Sequence, residues 1–387
     1  MQLSEIAIRP LSAADRGERG RFVDIGREFS RKVPHFVPQL RSEQMELLDP
    51  QRNPFFEHAE VQLFAAFRGE MPVGRISAHI DHLALAMPAE QGMGPGSGNF
   101  GYFDAADAAV ARALLARAED WLREQGMTRA LGPVSLSIWE EPGLLTAGHD
   151  HAPTMMMGHH PPHYEGWIEA ADYQVAKILL TYELDITQPF APLIDRIITS
   201  GERNPRISVR KAGVDDYAGD VRIILAILND AWSDNWGFIP FTDREIDYAA
   251  RKLRPVINPE LVRIAELEGE PVAFMLTLPD MNEVLSRIDG RLLPFGWWHM
   301  MRWLRRPRAR TMRVPLMGVL KKHQNSRLAS QLAFMMIEYI RQDAMANFGA
   351  TRGEIGWILD DNQGMVAIAD ALNTRANREY RIYEKQL

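Results

Sequence analysis

Apolar positions along the chain fall into two stretches of nearly identical order. LFAAFRGEMPVGRISAHID (63–81) and VRIAELEGEPVAFMLTLPD (262–280) each run from an apolar segment through Gly-Glu and Pro-Val to a second apolar segment ending in Asp. Both read as hairpins of buried strands, since their apolar runs are short and broken by glycine. AADYQVAKILLTYEL (170–184) and ALNTRANREYRIYEK (371–385) match in the same way. Pro72 and Pro271, like Tyr182 and Tyr383, stand about 200 residues apart. One spacing recurring at both ends points to a duplicated unit.

Between these anchors, ARALLARAEDWLREQG (111–126) and ASQLAFMMIEYIRQDAMANFG (329–349) place apolar residues three and four apart, which predicts amphipathic helices. Each is followed by a strand expected to end in carboxylates, WEE at 139–141 and WILDD at 357–361. Each unit therefore runs helix, hairpin, strand, helix, strand, helix, strand. This is a mixed α/β plan whose sheet needs helices over its faces. The expected domains are 1–190 and 191–387.

Composition narrows the function. With 46% hydrophobic and 25% charged residues the chain is ordinary for a soluble globular protein. It has no cysteine, which removes disulfides, thiolate metal sites and a cysteine nucleophile. MQLSEIAIRPLSAADRGERG lacks an apolar signal core, and no 18 uncharged apolar residues run together, so a cytoplasmic location is expected. A net charge of -7 argues against nucleic acid as a partner.

VPLMGVLKKHQNSRLASQL (314–332) is an apolar run, a basic and polar turn and a helix start. The first amides of a helix lack partners and carry partial positive charge, so such a turn suits an anion, phosphate first. Lys321, Lys322 and Arg327 add cations there. The equivalent stretch of the first half, GNFGYFDAADAAVARALL (98–115), starts its helix with Asp104 and Asp107, which cap a helix but repel phosphate. The second half should bind the anion, leaving the first for another substrate or for scaffolding.

Residues 133–167 concentrate Glu140, Glu141, His149, His151, His159, His160, His163 and three consecutive methionines. No HExxH or other metal spacing on one helical face occurs, and no metal is expected. Two further stretches concern a substrate. NDAWSDNWGFIPFT (229–242) suits a lid over an apolar ligand with a polar head, through Trp232, Asn235, Trp236 and Phe238. FGWWHMMRWLRRPRARTMR (295–313) sets Trp297, Trp298 and Trp303 against Arg305, Arg306 and further arginines, a pattern that suits an anionic membrane surface.

The element order resembles the GNAT superfamily of acyl-CoA-dependent acyltransferases, here as a tandem pair. There the loop between fourth strand and third helix, R/Q-x-x-G-x-G/A, holds the CoA pyrophosphate. Gln324-Asn325-Ser326-Arg327-Leu328-Ala329 matches its first and last positions, with Arg327 where glycine is expected. The resemblance implies that Gln324, Asn325, Ser326, Arg327 and Ala329 hold CoA, a co-substrate and no permanently bound cofactor, and that the strand at Met317 and Val319 polarises the thioester. Acyl transfer to an amine needs a base, a donor for the thioester oxygen and an acid for the thiolate. Glu140, Glu141, His159 and Tyr164 are the candidates, and Tyr164 falls near the acid tyrosine of GNAT enzymes.

FFEHAEVQLFAA, VGRISAHID, GPVSLSI with WEEPGLL, NDAWSDNWGF, LPDMNE, RLLPFG and YRIYEK look like a Gram-negative family of GNAT-type proteins that includes the bacterial ceramide synthases. The resemblance implies N-acylation of a sphingoid-base lipid by a fatty acyl-CoA, peripherally on the inner membrane. Asp280, Asn282 and Glu283 become substrate-binding candidates by their place in those runs. An aminoacyl-tRNA-dependent transferase and a non-catalytic relative that binds lipid or acyl-CoA stay open as alternatives.

Overall fold

The computed structural model describes residues 5–213, 216–324 and 326–387, and it divides the chain into two compact units. Unit 1 holds the chain through Leu179 with Leu285–Trp297 and Arg378–Leu387; unit 2 holds Leu180–Val284 and Trp298–Asn377. The expected hairpins are present as Ala59–Arg68 with Met71–Asp81 and Val262–Leu267 with Glu270–Pro279. Their turns use positive φ at Gly69 in the first and at Glu268 and Gly269 in the second.

In unit 1 the strands lie in the order Ile6–Leu11, Ala59–Arg68, Met71–Asp81, Ser97–Ala105, Arg129–Gly132. The C-terminal residues pair next, with Tyr383 opposite Gly132 and Gln386 opposite Arg129. The helix Ala108–Glu124 buries Val110, Leu114, Leu115, Ala118 and Leu122 against this sheet. In unit 2 the order is Ile207–Lys211, Val262–Leu267, Glu270–Pro279, Thr311–Val319, Arg352–Leu359, then the second half of Gln174–Asp185. The helix Arg327–Asp343 covers it with Leu332, Ala333, Met336, Ile337 and Ile340.

The strand that closes each repeat is divided between the units. Residues 180–185 of the first repeat belong to unit 2, and residues 378–387 of the second belong to unit 1. Tyr182 accordingly packs in the unit 2 core and Tyr383 in the unit 1 core. Two expectations need correction. WEE at 139–141 does not end a strand, because the strand stops at Gly132 and the carboxylates lie in and after a turn. Asp104 does not start the helix; it lies in Ser97–Ala105, and Asp107 alone is the cap, accepting from the amides of Ala109 and Val110 at 3.1 Å.

Candidate active site

The unit 2 site begins with strands that part. Thr311–Val319 pairs in parallel with Arg352–Leu359 only from Thr311 opposite Arg352 to Val314 opposite Ile355. Beyond Val314, residues 315–319 have no register partner on that side among the described residues. Sheet edges left open this way present backbone groups to a ligand.

A cleft of about 820 Å³ opens beside this edge. Two helix starts line it, Ser326, Arg327 and Ala329 of Arg327–Asp343 and Asn362, Gly364 and Met365 of Gln363–Ala371. Ser326 and Asn362 are the caps, accepting from the amides of Ala329 at 3.2 Å and Met365 at 3.1 Å. Two positive helix ends facing one cleft favour an anion. Gln324 is anchored by its Nε2, which donates to the Val319 carbonyl at 2.8 Å. Asn325 lies outside the described residues.

Arg327 is the first residue of its helix, so the exchange of glycine for arginine there requires no left-handed backbone. Its Nη2 donates to Ser200 Oγ at 3.0 Å, and its side chain remains exposed at the cleft wall. Lys321 Nζ pairs with Asp234, and its amide donates to Asp230 at 2.7 Å. Trp232, Asn235, Trp236 and Met317 also line the cleft. Phe238, by contrast, is buried.

Asp280, Asn282 and Glu283 fasten a turn. Asp280 accepts from the Asn282 amide at 3.2 Å, and Glu283 accepts from the amides of Arg310 at 3.1 Å and Thr311 at 2.8 Å. None of the three lines the cleft.

Unit 1 treats the equivalent region differently. Ser97–Ala105 pairs with Arg129–Gly132 only from Ser97 to Asn99, and the space beyond is taken by chain. A Cβ on Gly101 would come within 2.1 Å of the Val134 carbonyl oxygen, and the Tyr102 amide donates to Ser135 Oγ at 3.2 Å. Its helix cap, Asp107, is already paired with Arg68 at 2.6 Å.

Unit 1 instead buries a row of polar side chains. Arg75, Ser77 and His79 occupy the repeat positions that hold Phe274, Leu276 and Leu278 in unit 2. Arg75 lies over the rings of Phe22 and Tyr102 and pairs with Asp104 at 2.7 Å. Gly26 permits this, since a Cβ there would fall 1.8 Å from the guanidinium carbon. The hydroxyl of Ser77 has no hydrogen-bond partner among the described residues, and the Leu136 backbone lies beside the His79 ring. Burial lowers His79 to about 4.

Glu141 sits in the field of this row. Burial raises its carboxyl above the ordinary range, Arg75 opposes the shift and Asp104 adds to it. Glu140 lies in the preceding turn, its amide donating to the Ser137 carbonyl at 3.2 Å. His159 is buried with Nε2 2.7 Å from the Pro34 carbonyl oxygen, and burial lowers it to about 4. Tyr164 is buried in the unit 1 core, where its hydroxyl accepts from the Ala105 amide at 3.1 Å and burial raises its pKa. Among the described residues no group of three His, Cys, Asp or Glu is placed to hold a metal.

The arginine-rich segment forms the helix Gly296–Arg305. Leu293, Phe295, Trp297 and Trp298 are 78%, 72%, 44% and 53% exposed, an apolar concentration unusual for a surface. Arg302, Arg305 and Arg306 are also exposed. Trp303 is not part of that surface: it is buried, its Nε1 donating to the Arg308 carbonyl at 3.2 Å. No helix among the described residues is long and apolar enough to cross a membrane.

Asn362 and Met365 line the cleft without having been singled out from the sequence. The ring of Trp357 lies 5.8 Å from that of Trp232. WILDDNQG carried a legible signal, an Asn cap followed by a helix, and it went unused.

No family model matches the chain. It is 40% identical over 371 residues to a protein named bacterial ceramide synthase from Caulobacter vibrioides (strain NA1000 / CB15N), covering 96% of this chain and 95% of that one. It is 35% identical over 356 residues to Protein YghO from Escherichia coli (strain K12), covering 92% and 89%. Among solved structures it is similar to a tandem GNAT protein from the clavulanic acid biosynthesis pathway, with a TM-score of 0.57 and 13% identity over 99% of this chain and 98% of that one. It is also similar to a GCN5-related N-acetyltransferase from Sphaerobacter thermophilus, with a TM-score of 0.52 and 11% identity over 98% and 95%. At such identities the likeness establishes the fold, which is a tandem GNAT fold.

Proposed function

We propose that this chain, which belongs to the bacterial ceramide synthase family, is an N-acyltransferase that moves a long-chain fatty acyl group from acyl-CoA to the amine of a sphingoid base. The observation that carries this reading is the unit 2 cleft, where an open strand edge meets two helix N-termini. In the proposal the pyrophosphate lies at the start of Arg327–Asp343, with Gln324, Ser326, Arg327 and Ala329 around it. The thioester lies along residues 315–319, where backbone amides stabilise the developing oxyanion.

The amine must lose a proton to attack. Glu141 is the favoured base, because a carboxyl raised by burial binds a proton more strongly than an ordinary one. His159, lowered to about 4, is the weaker candidate. The amine nitrogen bonds to the thioester carbon, the C–S bond breaks, and the CoA thiolate leaves and takes up a proton. The products are an amide and free CoA.

The exposed Leu293, Phe295, Trp297 and Trp298 with the neighbouring arginines support peripheral attachment to the cytoplasmic membrane face, where a lipid amine would be met. Purified protein with palmitoyl-CoA and a panel of amines including sphinganine and 3-ketosphinganine tests the reading. Free thiol is followed, and the product is identified by mass spectrometry. The chain has no cysteine, so the thiol signal comes from CoA alone. An N-acyl sphingoid base is the expected product. Acyl-CoA bound without thiol release for any amine would overturn the reading in favour of a binding protein.

A further inference from the structure

The cleft has an apolar annex. In unit 2 a narrow cavity of about 50 Å³ lies under the helix Arg327–Asp343, walled by Met275, Met312, Ile337, Ile340, Ala344 and Ile355 among others. Met317, Met365 and Ile368 line both this cavity and the cleft, so the two adjoin across those side chains. Thr277 is a polar exception in the wall: it is 1% exposed, and its hydroxyl has no hydrogen-bond partner among the described residues. A buried void and a buried unpaired hydroxyl both destabilise a core, and a tightly packed interior has few of either.

We infer that this cavity takes the acyl chain of the acyl-CoA, entering between Met317 and Met365 with the thioester at the cleft end, and that its depth sets the chain length used. The inference rests on the acyl-CoA reading above. Three features fit an acyl chain. Apart from Thr277 and Arg341 the wall is apolar, the cavity adjoins the cleft through side chains beside the strand edge proposed for the thioester, and four methionines line it. Methionine has three rotatable bonds and repacks readily, so a cavity closed to a narrow seam can widen around a chain.

Chain length then has a measurable signature. Each methylene buried should tighten binding about fourfold, until the chain meets the end of the cavity. Ala344 lies in the wall at the C-cap of the covering helix. Ala344→Leu adds three carbons and should end the climb two or three methylenes sooner, lowering affinity for the longest chains by roughly 15- to 60-fold. Thr277→Val replaces the hydroxyl with a methyl of similar volume. It should strengthen binding of saturated chains severalfold, because the chain then packs against a methyl group and not an unpaired hydroxyl.

The test is calorimetric titration of the full chain with CoA and with acyl-CoAs from C2 to C18, for the unaltered protein and both variants. A steady climb followed by a plateau, moved to shorter chains by Ala344→Leu, is expected. If CoA binds and affinity is flat from C2 to C18, the cavity inference fails while the cleft reading stands. If neither CoA nor any acyl-CoA binds, the proposed function fails and the cavity inference with it. Should Ala344→Leu not fold, the unaltered profile and Thr277→Val decide the question, and a Thr277→Val profile identical to the unaltered one overturns the inference.

Discussion

The indole Nε1 of Trp232 donates to the backbone carbonyl of Met317 at 3.0 Å, which ties the end of the helix Tyr217–Trp232 to the strand edge proposed for the thioester. The Trp232 ring also lies 5.8 Å from that of Trp357. Trp232→Phe keeps the ring and removes the donor. A lost hydrogen bond of about 1 kcal/mol predicts a fall of about fivefold in kcat/KM for acyl-CoA. Steady-state kinetics read by thiol release check this, and equal kcat/KM in variant and parent would remove the contact from the mechanism.

Arg327 stands at the helix start with an exposed side chain whose Nη2 donates to Ser200. Arg327→Glu places a negative charge where pyrophosphate is proposed. Charge-assisted contacts are worth about 1.5–3 kcal/mol, so CoA affinity should fall by about 10- to 100-fold with little change in thermal midpoint. Calorimetric titration with CoA decides, and unaltered affinity would move the anion elsewhere.

Glu141 makes opposite predictions for rate and stability. Its carboxyl is raised in the folded state by burial, so the stability it contributes is present at low pH and is lost as pH rises through the raised value. Glu141→Gln should therefore raise the thermal midpoint at pH 7.5. As a base, Glu141 must be deprotonated, so the acidic limb of the kcat profile lies above the ordinary carboxylate range. Glu141→Gln should cut turnover by about 100-fold, within the range for general-base loss, and abolish that limb. A variant of normal turnover would exclude Glu141 as the base.

His79 is buried with a folded value of about 4, below the roughly 6.5 of the unfolded chain. As pH falls from 6.5 toward 4 the unfolded chain takes up the proton first, so stability is lost over that window, about 2 kcal/mol of it by pH 5. His79→Leu installs the residue type found at the matching position, Leu278, and should flatten the dependence. Urea denaturation at pH 5 and 7.5 measures this. Equal pH slopes in the two proteins would show that His79 is not the source.

The exposed aromatics and arginines predict membrane attachment with two separable parts. Replacing Trp297 and Trp298 by alanine should weaken binding to vesicles of phosphatidylglycerol and phosphatidylcholine at any salt. Neutralising Arg302, Arg305 and Arg306 should weaken it by about 100-fold at low salt, at about 1 kcal/mol per charge, and by less as salt rises. Co-sedimentation distinguishes the parts. Full binding by both variants would end the proposal for this segment.

Much of this was legible in the residues. The hairpins at 63–81 and 262–280, the covering helices and the polar turn before the second of them all rest on local rules of periodicity, glycine placement and capping, which act over a few residues. Asp104 was misread for the same reason. An Asp three positions before another looks like a cap, and only the buried Arg75 beside it places Asp104 in a strand. Tyr164 matched a family position, yet packing against the Ala105 backbone holds it in the core.

The sequence alone therefore determined the duplicated plan, the tandem GNAT fold and the half that carries the open helix start. Each is a pattern of residue types along the chain. Tertiary structure decided what depends on partners far apart in sequence. It divided the closing strands so that Tyr182 and Tyr383 enter different cores. It filled the unit 1 gap with residues 134–135 while leaving residues 315–319 of unit 2 open. It also brought Met317 and Met365 together between a cavity and the cleft. Periodicity can show that a residue is buried, but which side chains share a void is fixed only when distant segments pack.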